Sequence, residues 1–139
     1  MYGFRIITPT GVAMKFDLDN LNPSERFYFD DDEKAWIEIR MCAAEDHARI
    51  EKESTKVINK PGRAATKVVD EKKKQKLLWD FIITNWGGIE DAKGESIDCT
   101  TENKNRLMGG SIRFASFVSD SMGELAERHM QFGEDLEKN

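Results

Sequence analysis

Apolar residues recur along this chain with two different periods, and the change falls near residue 42. Before it, the pattern is that of strands. Phe4 to Thr8 and Val12 to Phe16 flank Pro9-Thr10-Gly11, a turn tripeptide between β-prone runs. Arg26 to Phe29 and Ala35 to Met41 are two further strand candidates, joined by the acidic turn Asp30 to Lys34. In Trp36-Ile37-Glu38-Ile39-Arg40-Met41, Ile37, Ile39 and Met41 share one face, and Glu38 and Arg40 the other. Trp36 falls on the polar side, where it either caps the sheet edge or marks an exposed contact.

Beyond residue 42 the spacing becomes helical. Ala43 to Thr55 contains good helix formers and a thin apolar stripe, Ala44, His47, Ala48 and Ile50. Pro61-Gly62 then breaks any helix, and the basic, polar composition of residues 56–67 predicts a flexible loop. Asp70 is an N-cap candidate, with Glu71 in the first turn. Leu77, Leu78, Phe81, Ile82 and Trp86 follow at offsets of three and four, with Ile83 beside them. They predict one core helix, stopped by Gly87-Gly88. Ile89 and Ile97 flank a polar turn. Thr100 or Thr101 caps a short helix through Met108, ended by Gly109-Gly110. Ser111 starts a last helix with Ile112, Ala115, Val118, Met122, Leu125 and Ala126 at helical spacing, Phe114 and Phe117 alongside, and an acidic end from Gly133 that should fray. The expected fold is α+β and mostly α: one domain over 1–139, with a β-rich part at 1–42, a small hairpin or sheet, and a helical part at 43–132, a bundle of three to four helices.

Composition narrows the functional classes. A chain of 139 residues normally makes one domain with one modest core. A net charge of −5 disfavours nonspecific attachment to nucleic acid or anionic membrane. The charge is uneven, however. Lys56 to Lys76 is strongly basic, between the acidic run Asp30-Asp31-Asp32-Glu33 and the acidic tail, so charged segments can pair within a molecule or between copies of a homo-oligomer. Two lone cysteines, Cys42 and Cys99, with no signal peptide and no apolar run near 18 residues, read as reduced thiols in a cytoplasmic protein without a membrane span.

Candidate chemistry is sparse. His47 and His129 are the only histidines, and Cys42 with His47 lacks two further ligands at zinc spacing, so no metal is expected. Asp91, Gly94, Asp98 and Glu102 lack the alternating ligands of a calcium loop. Cys99 has no evident histidine partner, no nucleophile elbow occurs, and neither Gly-Gly pair precedes a phosphate-loop lysine. No catalytic residue and no cofactor is therefore assigned. Trp36, Trp79, Phe117 and Phe132 cannot all fit a core of this size. Trp79 lies off the stripe of its helix and either faces a partner or packs under the sheet; surface aromatics concentrate binding energy.

Two stretches carry a resemblance. Asp30 to Lys56 has an acidic turn, Ala-Trp-Ile-Glu-Ile-Arg-Met, Ala-Ala-Glu-Asp and a charged helix ending Glu-Ser-Thr-Lys. Val69 onward has Leu78-Trp79-Asp80-Phe81-Ile82-Ile83, Asn85-Trp86-Gly87-Gly88-Ile89, Gly94-Glu95-Ser96-Ile97-Asp98-Cys99-Thr100, Glu102-Asn103-Lys104 and Phe114-Ala115-Ser116-Phe117-Val118. In pattern and order these resemble the tail assembly chaperones of long-tailed phages and prophages. The resemblance implies a noncatalytic helical protein of the host cytoplasm that uses no cofactor, binds the tape measure protein and helps recruit tail tube subunits.

A tape measure protein is a long helix with exposed apolar stripes, and its chaperone needs an apolar groove rimmed by charge. The helices 70–86 and 111–130 would form that groove, with Met108, Met122 and Met130 lining it and Trp79, Trp86, Phe117 and Met122 making partner contacts. Two rival readings differ in class. One is a small prophage-encoded nucleic-acid-binding regulator using Lys72-Lys73-Lys74-Gln75-Lys76; the other is a structural component retained in the tail.

Overall fold

The computed structural model describes residues 13–138, with side chains through residue 130. Within them the fold is α+β and mostly α, a small antiparallel sheet followed by four helices. Strand β1 (Ser24–Tyr28) pairs with β2 (Trp36–Arg40), Ser24 opposite Arg40 and Tyr28 opposite Trp36. The acidic turn between them is ordered. Phe29 N–H donates to the Ala35 carbonyl at 2.8 Å, the Asp30 carboxylate accepts the Asp32 N–H at 3.0 Å, and Glu33 takes φ 57°.

The third strand is where sequence and structure part. The helix expected over 70–86 is α2, Glu71–Ile82, and the chain then becomes strand β5 (Ile83–Gly87), which pairs antiparallel with the other side of β2. Asp70 caps α2 as expected, accepting the Lys73 N–H at 3.2 Å. Gly87-Gly88 does not stop it. The helix ends because groups from elsewhere satisfy its last carbonyls: Arg40 Nε donates to the Phe81 carbonyl at 2.7 Å and Lys104 Nζ to the Asp80 carbonyl at 3.2 Å. α2 has no basic residue in its own last turn, so these imported cations also offset the negative helix end. In β5, Trp86 faces Ile37 and Asn85 faces Glu38, but Ile83 faces Ile39, which leaves Thr84 as a bulge. The bulge puts Ile83 and Trp86, three apart in sequence, on the same buried face. Thr84 Oγ1 sits 2.9 Å from Glu38 Oε1 and 3.1 Å from the Glu38 carbonyl.

The core lies between one face of this sheet and the last helix, α4 (Ile112–Lys138). Phe27, Ile37, Ile39, Ile83 and Trp86 meet Phe114, Val118 and Leu125, and the three isoleucines are wholly buried. Each contributes about 1.5–3 kcal/mol of burial. The other sheet face is polar, and it settles the place of Trp36: half-buried, under the Arg26 guanidinium 3.6 Å from its ring centroid. The buried stripe of α4 is Phe114, Val118, Ser121 and Leu125; Ile112, expected in it, is 87% exposed. α4 continues as helix to Lys138, past the point where fraying was expected.

Before α2 lies α1 (Ala44–Ser54), whose Asp46 carboxylate accepts the Ala43 N–H at 3.1 Å. Only Ile50 and Ser54 of α1 are buried; Ala44, His47 and Ala48 are exposed, so the expected stripe is narrower. The predicted loop at 56–67 is instead most of a second antiparallel pair, β3 (Thr55–Ile58) with β4 (Thr66–Val69). Pro61-Gly62 breaks no helix here. It occupies the middle of a turn closed by Arg63 N–H on the Lys60 carbonyl at 3.1 Å, with Gly62 at φ 75°. The β-branched Thr-Lys-Val-Ile and Thr-Lys-Val-Val runs supply the strands. The helical part 43–132 is thus interrupted by three strands.

Further on, Ile97 N–H donates to the Ile89 carbonyl at 2.8 Å, closing the expected β-like turn. Thr100, and not Thr101, caps α3 (Thr101–Gly110), accepting the Asn103 N–H at 3.2 Å. Ser111 alone separates α3 from α4, its hydroxyl accepting the Phe114 N–H at 3.1 Å. At the N-terminus, Phe4 to Thr8 lies outside the described residues. Residues 13–16 of the other expected strand are exposed and unpaired, with no described strand beside them.

Gly88 is required where β5 leaves the sheet. It holds φ 68°, and a Cβ there would lie 1.9 Å from the Lys34 carbonyl oxygen, whereas Gly94 at φ 85° has open space around it. Gly94→Ala should therefore cost roughly the 1–2 kcal/mol of a left-handed residue, and Gly88→Ala clearly more. Paired chemical denaturation curves measure the difference, which is the steric share.

Candidate partner-binding surface

Of the four residues expected to contact a partner, Trp86, Phe117 and Met122 belong to or pack against one core cluster, and Trp79 lies apart from it. Trp86 is a core residue, only 6% exposed, its indole Nε1 donating to the Ile97 carbonyl at 2.7 Å and its ring edge-on to Phe114 at 5.5 Å. It pins the 89–97 turn to the sheet and has no face to offer, which corrects its assignment as a contact. Met122 is half-buried against the same core. Phe117 is half-buried and edge-on to Phe29 at 5.2 Å, with the Arg113 guanidinium 4.5 Å from the Phe29 centroid. Trp79 is half-buried on α2, away from this cluster of sheet and α4 residues. The groove expected between helices 70–86 and 111–130 is also revised, because the segment supplying its Trp86 wall is strand β5 in the sheet. Of the expected methionines, Met108 is half-buried, while Met130 is 74% exposed.

The structure shows a different apolar surface, at the junction of α3 and α4. Met108, Gly109, Gly110 and Ser111 end α3; Ile112, Ala115, Ser116 and Ser119 begin α4; together they line an open depression of about 320 Å³. Most of its lining residues are small, so a second backbone can approach closely, and it also has the exposed Ile112 and the adaptable Met108. Ile112, Ala115, Ser116 and Ser119 stand at i, i+3, i+4 and i+7, the spacing with which one helix presents a face to another. Beside it, and sharing Gly110 and Ser111, is a polar depression lined by Asp91, Asp98, Asn103 and Arg106 among others. The sequence did carry this surface as a second stripe on α4. Ile112 and Ala115 also fit the spacing of the core stripe, and small polar residues such as Ser116 and Ser119 carry no apolar signal.

Beside this junction an ion pair holds α3 against α2. Lys104 is 8% exposed, and its Nζ lies 3.1 Å from Asp80 Oδ1; the Thr101 hydroxyl donates to the same oxygen at 2.8 Å. Burial acts to raise the Asp80 carboxyl, but the Thr101 and Lys104 hydrogen bonds and the lysine charge outweigh it and hold the carboxyl below its ordinary value. No activated nucleophile is present at the cysteines: burial, foremost, pushes both the Cys42 and Cys99 thiols up, and both are free. The Asp91 carboxylate is engaged by the N–H groups of Lys93 at 2.8 Å and Glu95 at 3.0 Å, as in a polar turn. Among the described residues no group of three or more His, Cys, Asp or Glu side chains is placed to hold a metal ion, and no helix is long and apolar enough to cross a membrane. In the lysine run, Lys74 is taken up by Glu51 at 3.3 Å, while Lys72, Lys73 and Lys76 are exposed.

Compared with protein-family models, curated proteins and solved structures, the chain finds no match.

Asp80→Ala should destabilise by roughly 2–3 kcal/mol. That lies between an exposed pair and a fully buried one, because the lysine is buried but more than a third of the Asp80 side chain is open. With a folded pKa below the unfolded value of about 3.9, Asp80 stabilises at neutral pH. That stability is lost as pH falls through the folded value. Thermal melts of wild type and Asp80→Asn should therefore differ at pH 7 and converge in strong acid.

Proposed function

We propose that this chain is a noncatalytic assembly chaperone of phage tails, which binds the tape measure protein in the host cytoplasm and helps recruit tail tube subunits. Two things support the reading. The residues from Asp30 to Lys56 and from Val69 to Val118 resemble that family, and the α3–α4 junction offers a surface suited to a helix. The observation that carries the second is Ile112, 87% exposed and lining a depression together with Gly109, Gly110, Ala115 and serines. A large apolar side chain open to water beside backbone that can be closely approached is an anchor for a partner helix. In this reading Ile112 and Met108 take the place assigned to Trp86.

The test is a pull-down with the full chain as bait from cells expressing the neighbouring gene cluster. A very long helical protein should be recovered. Burying Ile112 is worth about 1.5–3 kcal/mol, so Ile112→Asp should weaken capture about 10- to 100-fold while leaving the melting temperature near wild type. Capture unaffected by Ile112→Asp would remove the junction as the binding surface. Recovery of no such protein would remove the chaperone reading.

A further inference from the structure

Two charged surfaces of opposite sign remain unused by the core and by the α3–α4 junction. The first is the β3–β4 arm. From Thr55 to Val69 it contains Lys56, Lys60, Arg63 and Lys67 and no acidic residue. Lys56 is paired with Asp70 at 3.5 Å, whereas Lys60, Arg63 and Lys67 make no ion pair with any described residue. The arm also exposes apolar surface. Val57 is 54% open, and Ile58, Ala64 and Val68 line a depression of about 220 Å³ together with Lys60, Arg63 and Thr66. A two-stranded ribbon with cations and apolar residues side by side, and no described element packed on its outer strand edges, is built to be covered.

The second surface is the β1–β2 turn. Asp30, Asp31, Asp32 and Glu33 are all exposed and make no ion pair with any described residue. The turn is closed by the Asp32 N–H on the Asp30 carboxylate and by Phe29 N–H on the Ala35 carbonyl. It too has apolar surface beside its charge, in the exposed Tyr28 and Phe29. The two surfaces belong to different parts of the fold. The turn closes the Trp36 end of the sheet, whereas the arm leaves the ends of α1 and α2 remote from the sheet, where Asp70 N–H meets the Ser54 carbonyl.

We infer that the β3–β4 arm of one copy docks on the acidic β1–β2 turn of a second copy. Each surface supplies what the other lacks, cations beside aliphatic side chains against carboxylates beside aromatic ones. The lysines also disfavour the simplest alternative, edge pairing of two arms, because it brings like charges together across the ladder. A contact between two different patches is heterologous, so it propagates as a ring or a short filament unless it closes on two copies. This inference does not depend on the chaperone reading, since it concerns a surface separate from the α3–α4 junction.

The experiment is sedimentation equilibrium of the full chain, up to about 0.1 mM, at about 0.05 M and about 0.5 M salt. Wild type should show a weight-average mass well above the 15.9 kDa of one chain at low salt and lose the heavier species at high salt. Lys60→Glu/Arg63→Glu/Lys67→Glu should be monomeric at both, as should Asp30→Lys/Asp31→Lys/Asp32→Lys, and mixing the two should restore association. The neutral variant Lys60→Gln/Arg63→Gln/Lys67→Gln serves if either reversal fails to give the wild-type circular dichroism spectrum, and it too should be monomeric. A wild type that is monomeric at low salt overturns the inference. So do an arm variant that still associates and reversed partners that do not recombine. Salt-dependent binding of the arm to duplex DNA without self-association overturns it in favour of a nucleic-acid ribbon.

Discussion

The passage from helix to strand at Ile82–Ile83 is the constraint on which the rest of this structure depends. A helix that ends inside a protein leaves carbonyls without partners, and α2 has no basic side chain in its last turn to serve them. Arg40 from β2 and Lys104 from α3 reach in and donate to the Phe81 and Asp80 carbonyls. That contact ties three elements to one point. It also frees residues 83–87 to pair with β2, which makes β2 a central strand and lets Ile37 and Ile39 lose all exposure to water. Without β5 the sheet would be a two-stranded hairpin, too small to hold a core by itself.

With the sheet complete, α4 is divided into faces. Phe114, Val118, Ser121 and Leu125 close the core, and the polar far side of the sheet needs no cover. The residues on another side of the same helix, Ile112, Ala115, Ser116 and Ser119, are left lining the junction with α3. Core and candidate binding surface thus come from one helix, a rotation apart. The Lys104–Asp80 pair, its lysine buried, holds α3 against α2, and α3 supplies the other wall of that depression. The charges of the arm and the turn stand outside this arrangement, although the turn's Phe29 rests edge-on against Phe117 of α4.

Much of this was legible in the chain. The alternation of Ile37 and Ile39, the Asp70 cap, the 89–97 turn and the helical α4 follow from period and local chemistry, both properties of neighbouring residues. The errors share one cause. Ile83 and Trp86 are three apart, which reads as a helical repeat, but a bulge at Thr84 gives a strand the same spacing on one face. Likewise Pro61-Gly62 marks a break equally well whether the flanking runs are loop or hairpin. Of the four proposed contact residues, Trp86 is the one the structure removes, because its indole N–H is spent on the Ile97 carbonyl inside the core, a partner that no local pattern shows.

By itself the sequence determined the class of fold, the β1–β2 hairpin, the starts of the helices and the uneven placement of charge, since these depend on backbone propensity, capping and composition within a few residues. Only the tertiary structure decided where α2 stops, which strand completes the sheet and which side of α4 stays open. Each of those turns on a partner distant in sequence. Arg40 acts on Phe81, Ile39 on Ile83, and the sheet on Phe114 and Val118. Desolvation and hydrogen-bond satisfaction are settled by those distant neighbours, and no local pattern encodes them.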